Sequence, residues 1–216
     1  MKILFIGNSY TYFNDMPARF LSLVKENGKN IEVDSVTCGG RKLCENIDKE
    51  DQYSTRIREL AEANEYDVLI LQEQSYLALV DCESFERGVL GLSKLVGAKR
   101  DILYATWGRK SGSELLAKYG WTSGEMTEKL HSAYCLAAEK CKAEVSPVGL
   151  CFLALSESGL ELYDPDLSHP SYLGTALGTL MHYKTVFGEL PKSCASLALD
   201  AEAEKQMLGV VSEVKI

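Results

Sequence analysis

The sequence predicts an α/β fold: a three-layer α/β/α sandwich around a central, mainly parallel sheet. Three observations predict it. Short apolar runs alternate along the chain with longer segments whose apolar residues repeat at helical spacing, the pattern of successive βαβ units. The runs are continuous rather than alternating with polar residues, as strands are when helices cover both faces of the sheet. Apolar residues make up 46% of the 216 positions, enough for one proper core, so residues 1–216 are expected to form a single domain.

Each element follows from its residues. Residues 3–6 form a continuous apolar run closed by Gly7, the first strand. Asp15 is the N-cap candidate of the first helix, with Pro17 in its first turn and Phe20, Leu21 and Val24 on its apolar stripe. Residues 31–36 read as the second strand, stopped by Gly39 and Gly40, and Val68–Leu71 as the third and cleanest. A helix with Phe85, Val89, Leu92 and Val96 on one face precedes a fourth strand at residues 102–105. A long helix then carries Met126, Leu130, Ala133 and Ala137, and a weaker strand covers residues 145–150. The last major helix is expected to start at Pro170, with Leu173, Ala176, Leu177 and Leu180 inward. Asp200 caps a final helix with Ala203, Met207, Val210 and Val214 on one side. Residues 39–51 and 109–124 are the expected irregular regions. Both follow strand ends where open α/β sheets place ligands, and the pattern as a whole is flavodoxin-like.

Charge and cysteine usage narrow the partners. Thirty-one acidic against 23 basic residues leave a net charge of -8, which argues against nucleic acid and against an anionic membrane surface. No apolar run is long enough to cross a bilayer, and the opening residues are too few for a signal-peptide core. A cytoplasmic protein is expected, with assembly into a homo-oligomer left open. The seven cysteines (Cys38, Cys44, Cys82, Cys135, Cys141, Cys151 and Cys194) include no CxxC pair and no zinc-ligand spacing, which suits small buried hydrophobes in a reducing compartment.

Two segments carry chemistry: Gly7-Asn8-Ser9-Tyr10-Thr11 and Asp166-Leu167-Ser168-His169-Pro170. They supply a hydroxyl, a base and a carboxylate to orient the base, which a nucleophilic serine needs. Ser9 follows a buried strand, so its hydroxyl is delivered to the C-terminal edge of the sheet. Its setting is not the GxSxG elbow, because residue 11 is Thr. Asp166, three residues before His169 on a turn, can reach the imidazole without help from another element. Pro170 disfavours a helical conformation at His169 and suits the first position of the helix that follows. His131 reads as a solvated helix residue and His182 as a structural one. Asp-x-x-His could supply two metal ligands, but no third stands at a convincing spacing.

Four blocks stand in register: Gly7-Asn8-Ser9, Cys38-Gly39-Gly40, Gln72-Glu73-Gln74-Ser75, and Asp166 through Pro170. In this order the chain resembles the GDSL or SGNH hydrolase superfamily of esterases and lipases, over nearly its whole length. The resemblance implies Ser9 as nucleophile, His169 as general base and Asp166 as the acid that orients it. It also implies an oxyanion hole built from the Ser9 N–H, a glycine N–H at Gly40 or Gly39, and an amide side chain of the third block. There the sequence departs from the family's Gly-x-Asn-Asp. Gln74 stands in register with the asparagine, and Gln72, where the family has glycine, is a rival donor.

The implied reaction is acyl transfer through an acyl-enzyme, with no metal or organic cofactor. Trp107 and Arg109, after the fourth strand, are candidates to flank the pocket as an aromatic platform beside a cation. Tyr10 and Tyr12 stand near the nucleophile. With no long apolar lid in view, the expected substrate is a small-molecule ester: a small acyl group, acetyl first, on a carbohydrate or similar polar alcohol. A lysophospholipase or thioesterase of the same architecture is the alternative. From another class, a catalytically silent binding module remains, because of the departure at Gln72.

Overall fold

A computed structural model describes residues 1–216. Five strands form one sheet in the order β2-β1-β3-β4-β5: β1 (Lys2–Gly7), β2 (Glu32–Thr37), β3 (Val68–Leu71), β4 (Arg100–Tyr104) and β5 (Glu144–Ser146). All four pairings are parallel. The chain moves outward from β1 to β2, then returns past β1 to β3. The connections that leave β1 and β3 therefore diverge and open a crevice at their C-terminal ends, the position where α/β sheets bind ligands.

Side chains alternate across the sheet and divide the interior in two. Ile3, Phe5, Val68, Ile70, Ile102 and Tyr104 face helices Met16–Glu26, Val148–Ala154, Tyr172–Phe187 and Ala201–Glu213. Leu4, Ile6, Leu69, Leu71 and Leu103 face helices Gln52–Ala63, Cys82–Val96 and Ser123–Cys141. The result is the three-layer sandwich expected from the sequence. β1 and β3, central and covered on both faces, are the strands whose apolar runs were most continuous. No helix is long and apolar enough to cross a membrane, and all seven cysteines are free.

Some boundaries moved. The strand expected at residues 145–150 stops at Ser146, because Pro147 has no N–H for the ladder and the chain turns into helix Val148–Ala154. The last major helix starts at Tyr172 rather than Pro170: the Ser171 hydroxyl caps it by accepting from Gly174 N at 3.1 Å, while Pro170 bridges back to Tyr163. Asp15 precedes the first helix as expected, yet its backbone is left-handed (φ 56°) and its side chain caps nothing. Helix Gln52–Ala63 buries only Ser54, Ile57 and Leu60, too thin a stripe to stand out among its charges. Asp51 starts it by accepting from the N–H groups of Tyr53 and Ser54 at 3.0 and 3.1 Å.

Candidate active site

The turn after β1 is built around Gly7. A Cβ there would lie 2.4 Å from Thr11 Oγ1 and 2.8 Å from Gln72 Oε1, so only glycine lets the chain fold back this closely. Asn8, buried, caps the one-turn helix Ser9–Tyr12 by accepting from Tyr10 N at 3.3 Å, and its Nδ2 donates to Arg41 O at 3.0 Å. Its own N–H donates to Gln72 Oε1 at 2.9 Å. Ser9 is thereby set as the first residue of a helical turn at the edge of the crevice, and its N–H has no partner within the protein.

From the other side of the crevice His169 meets it. His169 Nε2 lies 2.7 Å from Ser9 Oγ, and Nδ1 is bonded to Asp166 Oδ2. Asp166 Oδ1 accepts from the N–H groups of Ser168 and His169, both at 2.9 Å. Burial pushes the Asp166 carboxyl up, but its bonds to the His169 ring and to these two N–H groups outweigh that, and the net shift is below the ordinary carboxylate value. Leu167 makes the loop possible with a left-handed backbone (φ 62°), an arrangement that costs a non-glycine residue about 1–2 kcal/mol. Two hydrogen bonds hold it there: Leu167 N to Asp164 O at 3.0 Å, and Lys110 N to Leu167 O at 2.9 Å. Strain of this kind survives only where the surroundings impose it.

The imidazole is also held by its faces. Phe13 stacks on it with centroids 4.2 Å apart, and Tyr10 lies tilted against it at 5.3 Å. Tyr10 is buried, its hydroxyl 2.9 Å from Ser168 Oγ, whereas Tyr12 is 41% exposed. Phe13 escaped the sequence reading. Its one local signal is the pair that follows it, Asn14 and Asp15, in which residue types that tolerate left-handed geometry adopt φ of 52° and 56°.

The expected oxyanion donors separate clearly. Gly40 (φ 68°) lines the crevice and its N–H bonds to nothing in the protein; Gly39 does not line it and packs toward the Tyr12 hydroxyl. Gln74 also lines the crevice, and its amide makes only two 3.5 Å contacts, with Ser75 Oγ and Tyr76 N. Gln72 corrects the expectation of a rival donor or substrate contact. It is 1% exposed, its Oε1 accepting from Asn8 N and, at 2.9 Å, from Thr11 Oγ1, and its Nε2 donating to Glu73 O. It clamps the turn that carries Ser9 from behind.

Between them stands Glu73, fully buried. One carboxylate oxygen accepts from Gln74 N at 2.6 Å, and both accept from Leu43 N at 3.1 and 3.3 Å. It ties the loop carrying Gln74 to the loop carrying Gly40, and burial pushes its pKa up to about 7.

Trp107 is a second correction. It does not flank the pocket; it is wholly buried beneath it, stacked 3.9 Å from Phe152, with Nε1 donating to Ser168 O at 3.0 Å. Arg109 stays at the site, its Nη2 donating to Ser75 Oγ at 2.8 Å. His182 is buried with Nδ1 2.9 Å from Ser146 Oγ, far into the core, as a structural histidine would be. No three His, Cys, Asp or Glu side chains converge as a metal-ligand group. The crevice holds about 340 Å³, and of its ten lining residues only Tyr10 is apolar in character.

Fold and site together define an α/β protein of the flavodoxin-like order with Ser9, His169 and Asp166 hydrogen-bonded in series at the topological switch point. A solved protein from Slackia heliotrinireducens, described as a candidate SGNH hydrolase, is similar at 28% identity and a TM-score of 0.76, over 86% of this chain and 98% of that one. A DUF4886 family protein from Bacteroides uniformis is similar at 16% identity and a TM-score of 0.79, over 98% and 93%. A catalytic mutant of an acetylxylan esterase from Geobacillus stearothermophilus shares the fold at 13% identity and a TM-score of 0.64, over 89% and 96%. No family model and no curated protein matches the chain. The chain belongs to the GDSL/SGNH hydrolase superfamily.

Proposed function

We propose that the protein is a serine esterase that removes a small acyl group, acetyl first, from a carbohydrate or similar polar alcohol. The observation that carries this reading is the hydrogen-bonded series Asp166–His169–Ser9, opening into a crevice with one apolar-bodied lining residue. A crevice so polar offers a long acyl chain nothing to bury against, which disfavours the lysophospholipase alternative. Acetylxylan esterases among the structures of this fold are consistent with it.

In this mechanism His169 Nε2 takes the Ser9 proton as Oγ attacks the ester carbonyl, while Asp166 holds the imidazole and offsets its developing charge. The N–H groups of Ser9 and Gly40 and the Gln74 amide receive the oxyanion. None of the three is committed to a short internal bond, so they meet the developing charge without first breaking one. His169 then protonates the leaving alcohol, and water activated by the same ring clears the acyl-enzyme.

Fluorophosphonate labelling, followed by turnover of p-nitrophenyl esters of increasing acyl length, tests the reading. Ser9 labels and acetate is the best acyl group if it holds. An unlabelled Ser9, or activity that rises with chain length, rejects it.

A further inference from the structure

Arg109 is the single cation lining the catalytic crevice, and it has no carboxylate partner. Two other arginines with buried or half-buried heads are paired: Arg41 with Asp51 at 2.7 Å and Arg100 with Glu144 at 2.7 Å. Half-buried Arg19, which has no carboxylate, donates to Asn14 O and, at 3.1 Å, to Tyr172 OH away from the crevice. Arg109 has instead one hydroxyl, Ser75 Oγ, the face of the Tyr10 ring 5.8 Å away, and an Nε that is buried without any hydrogen-bond partner. A guanidinium taken partly out of water and left short of an anion is a site for one, and its planar fork matches a carboxylate.

The place of Arg109 fixes which part of the ester it would meet. Arg109 and Asp166 form a wall shared with a neighbouring hollow of about 440 Å³, floored by Gly112, Ser113 and Leu167. The leaving alcohol must lie beside His169, which gives it a proton, and Asp166 stands directly behind that ring. An alcohol seated beside His169 has Arg109 within the same crevice, and the hollow that shares Arg109 and Asp166 offers room for its body. Two other charges face that space. Asp166 has both oxygens engaged, by His169 and by two N–H groups, and Glu114 lines the hollow, where it disfavours an anion.

We infer that the alcohol moiety of the substrate carries a carboxylate held by Arg109, so that the preferred ester is an acylated hydroxy acid, in sugar form a uronic acid, rather than a neutral sugar. This rests on the esterase reading above and names its substrate class.

The test compares kcat/KM for methyl hexuronosides acetylated at each ring hydroxyl in turn with the matched uronamides, which keep shape and lose charge. The acid should be preferred about 10- to 100-fold at low salt, mostly through KM, with the preference shrinking as salt rises. In Arg109→Met the ratio should fall to about one, and Arg109→Lys should keep part of it. Should Arg109→Met fail to fold, the salt response of the wild-type ratio decides. Equal kcat/KM for acid and amide in the wild type, or a ratio unmoved by Arg109→Met, overturns the inference while leaving the esterase reading intact. No turnover of either set or of p-nitrophenyl acetate, with Ser9 unlabelled by a fluorophosphonate, overturns both.

Discussion

The phenyl ring of Phe13 lies flat on the imidazole of His169, centroids 4.2 Å apart and planes 8° from parallel. Asn14, next in the chain, secures the arrangement: its Nδ2 donates to Pro170 O at 3.2 Å and to Thr175 Oγ1 at 2.9 Å, on either side of the start of helix Tyr172–Phe187. With Tyr10 also packed against it, 5.3 Å away, the ring has little freedom to swing Nε2 away from Ser9. Asp166 fixes the imidazole along its edge; the two aromatic rings fix its plane.

Phe13→Ala should therefore lower kcat about 3- to 10-fold with little change in KM, the loss expected for one aromatic pair that orients a catalytic group. Phe13→Tyr should keep most of the activity. Steady-state kinetics on p-nitrophenyl acetate, with melting temperatures alongside, separate this from misfolding. An unchanged kcat in Phe13→Ala would leave orientation to Asp166 alone.

Ser9→Ala should abolish turnover and fluorophosphonate labelling while unfolding cooperatively near the wild-type temperature, since only the half-buried hydroxyl is lost. Asp166→Asn should cost less than His169→Ala, because in the proposed mechanism the carboxylate only orients and stabilises the ring whereas His169 carries both proton transfers. Undiminished activity in Asp166→Asn would remove Asp166 from the mechanism.

The two glutamines after β3 should fail in different ways. Gln74→Ala should lower kcat by roughly 100-fold without moving the melting temperature, the loss of one oxyanion donor. Gln72→Ala should cost about 1–3 kcal/mol of stability, because Asn8 N and Thr11 Oγ1 lose a buried acceptor together. Chemical denaturation and kcat, measured on both variants, check the contrast. A stable, slow Gln72→Ala beside an unaffected Gln74→Ala would reverse the assignment.

Glu73 gives a pH signature in stability. Its pKa is raised from 4.5 to about 7 by burial, so the folded state binds its proton more tightly than the unfolded chain does. The associated stability is complete below about pH 4.5 and is lost as pH rises toward 7, on the order of 3 kcal/mol over that window. Glu73→Gln should flatten that decline. Denaturation midpoints at pH 5 and pH 8 for both proteins measure it; parallel declines would show that Glu73 does not titrate in this range.

The layers and the edge of the site were legible because their signals are local. Val68–Leu71 is matched residue for residue, since a continuous apolar run is what a central parallel strand requires. Asp166 and His169 are close in the chain, so a single turn brings them together, and Ser9 is delivered by the strand it follows. Residues 145–150 misled because Val148 and Leu150 continue the apolar run past Pro147, where the ladder has already ended. Trp107 misled for another reason: its position after β4 suits a pocket wall and a core plug equally.

By itself, then, the sequence determined the five strands in chain order with most of the helices between them, the sheet edge at which Ser9 emerges, and the turn that joins Asp166 to His169. Each depends on spacing along the chain, which apolar periodicity and turn residues report directly. Only the tertiary structure placed Gln74 and Gly40 on the crevice with Gln72 buried and Gly39 outside its lining, buried Trp107, and set Phe13 against His169. Residues 72 and 74 would share a face on a continuing strand, but β3 ends at Leu71. Beyond it a side chain's direction is set by what packs against it, namely Asn8 and Thr11 from the turn after β1 and Leu43 through Glu73. Phe13 reaches His169 across the whole fold, and no spacing within one segment encodes a meeting between two distant ones.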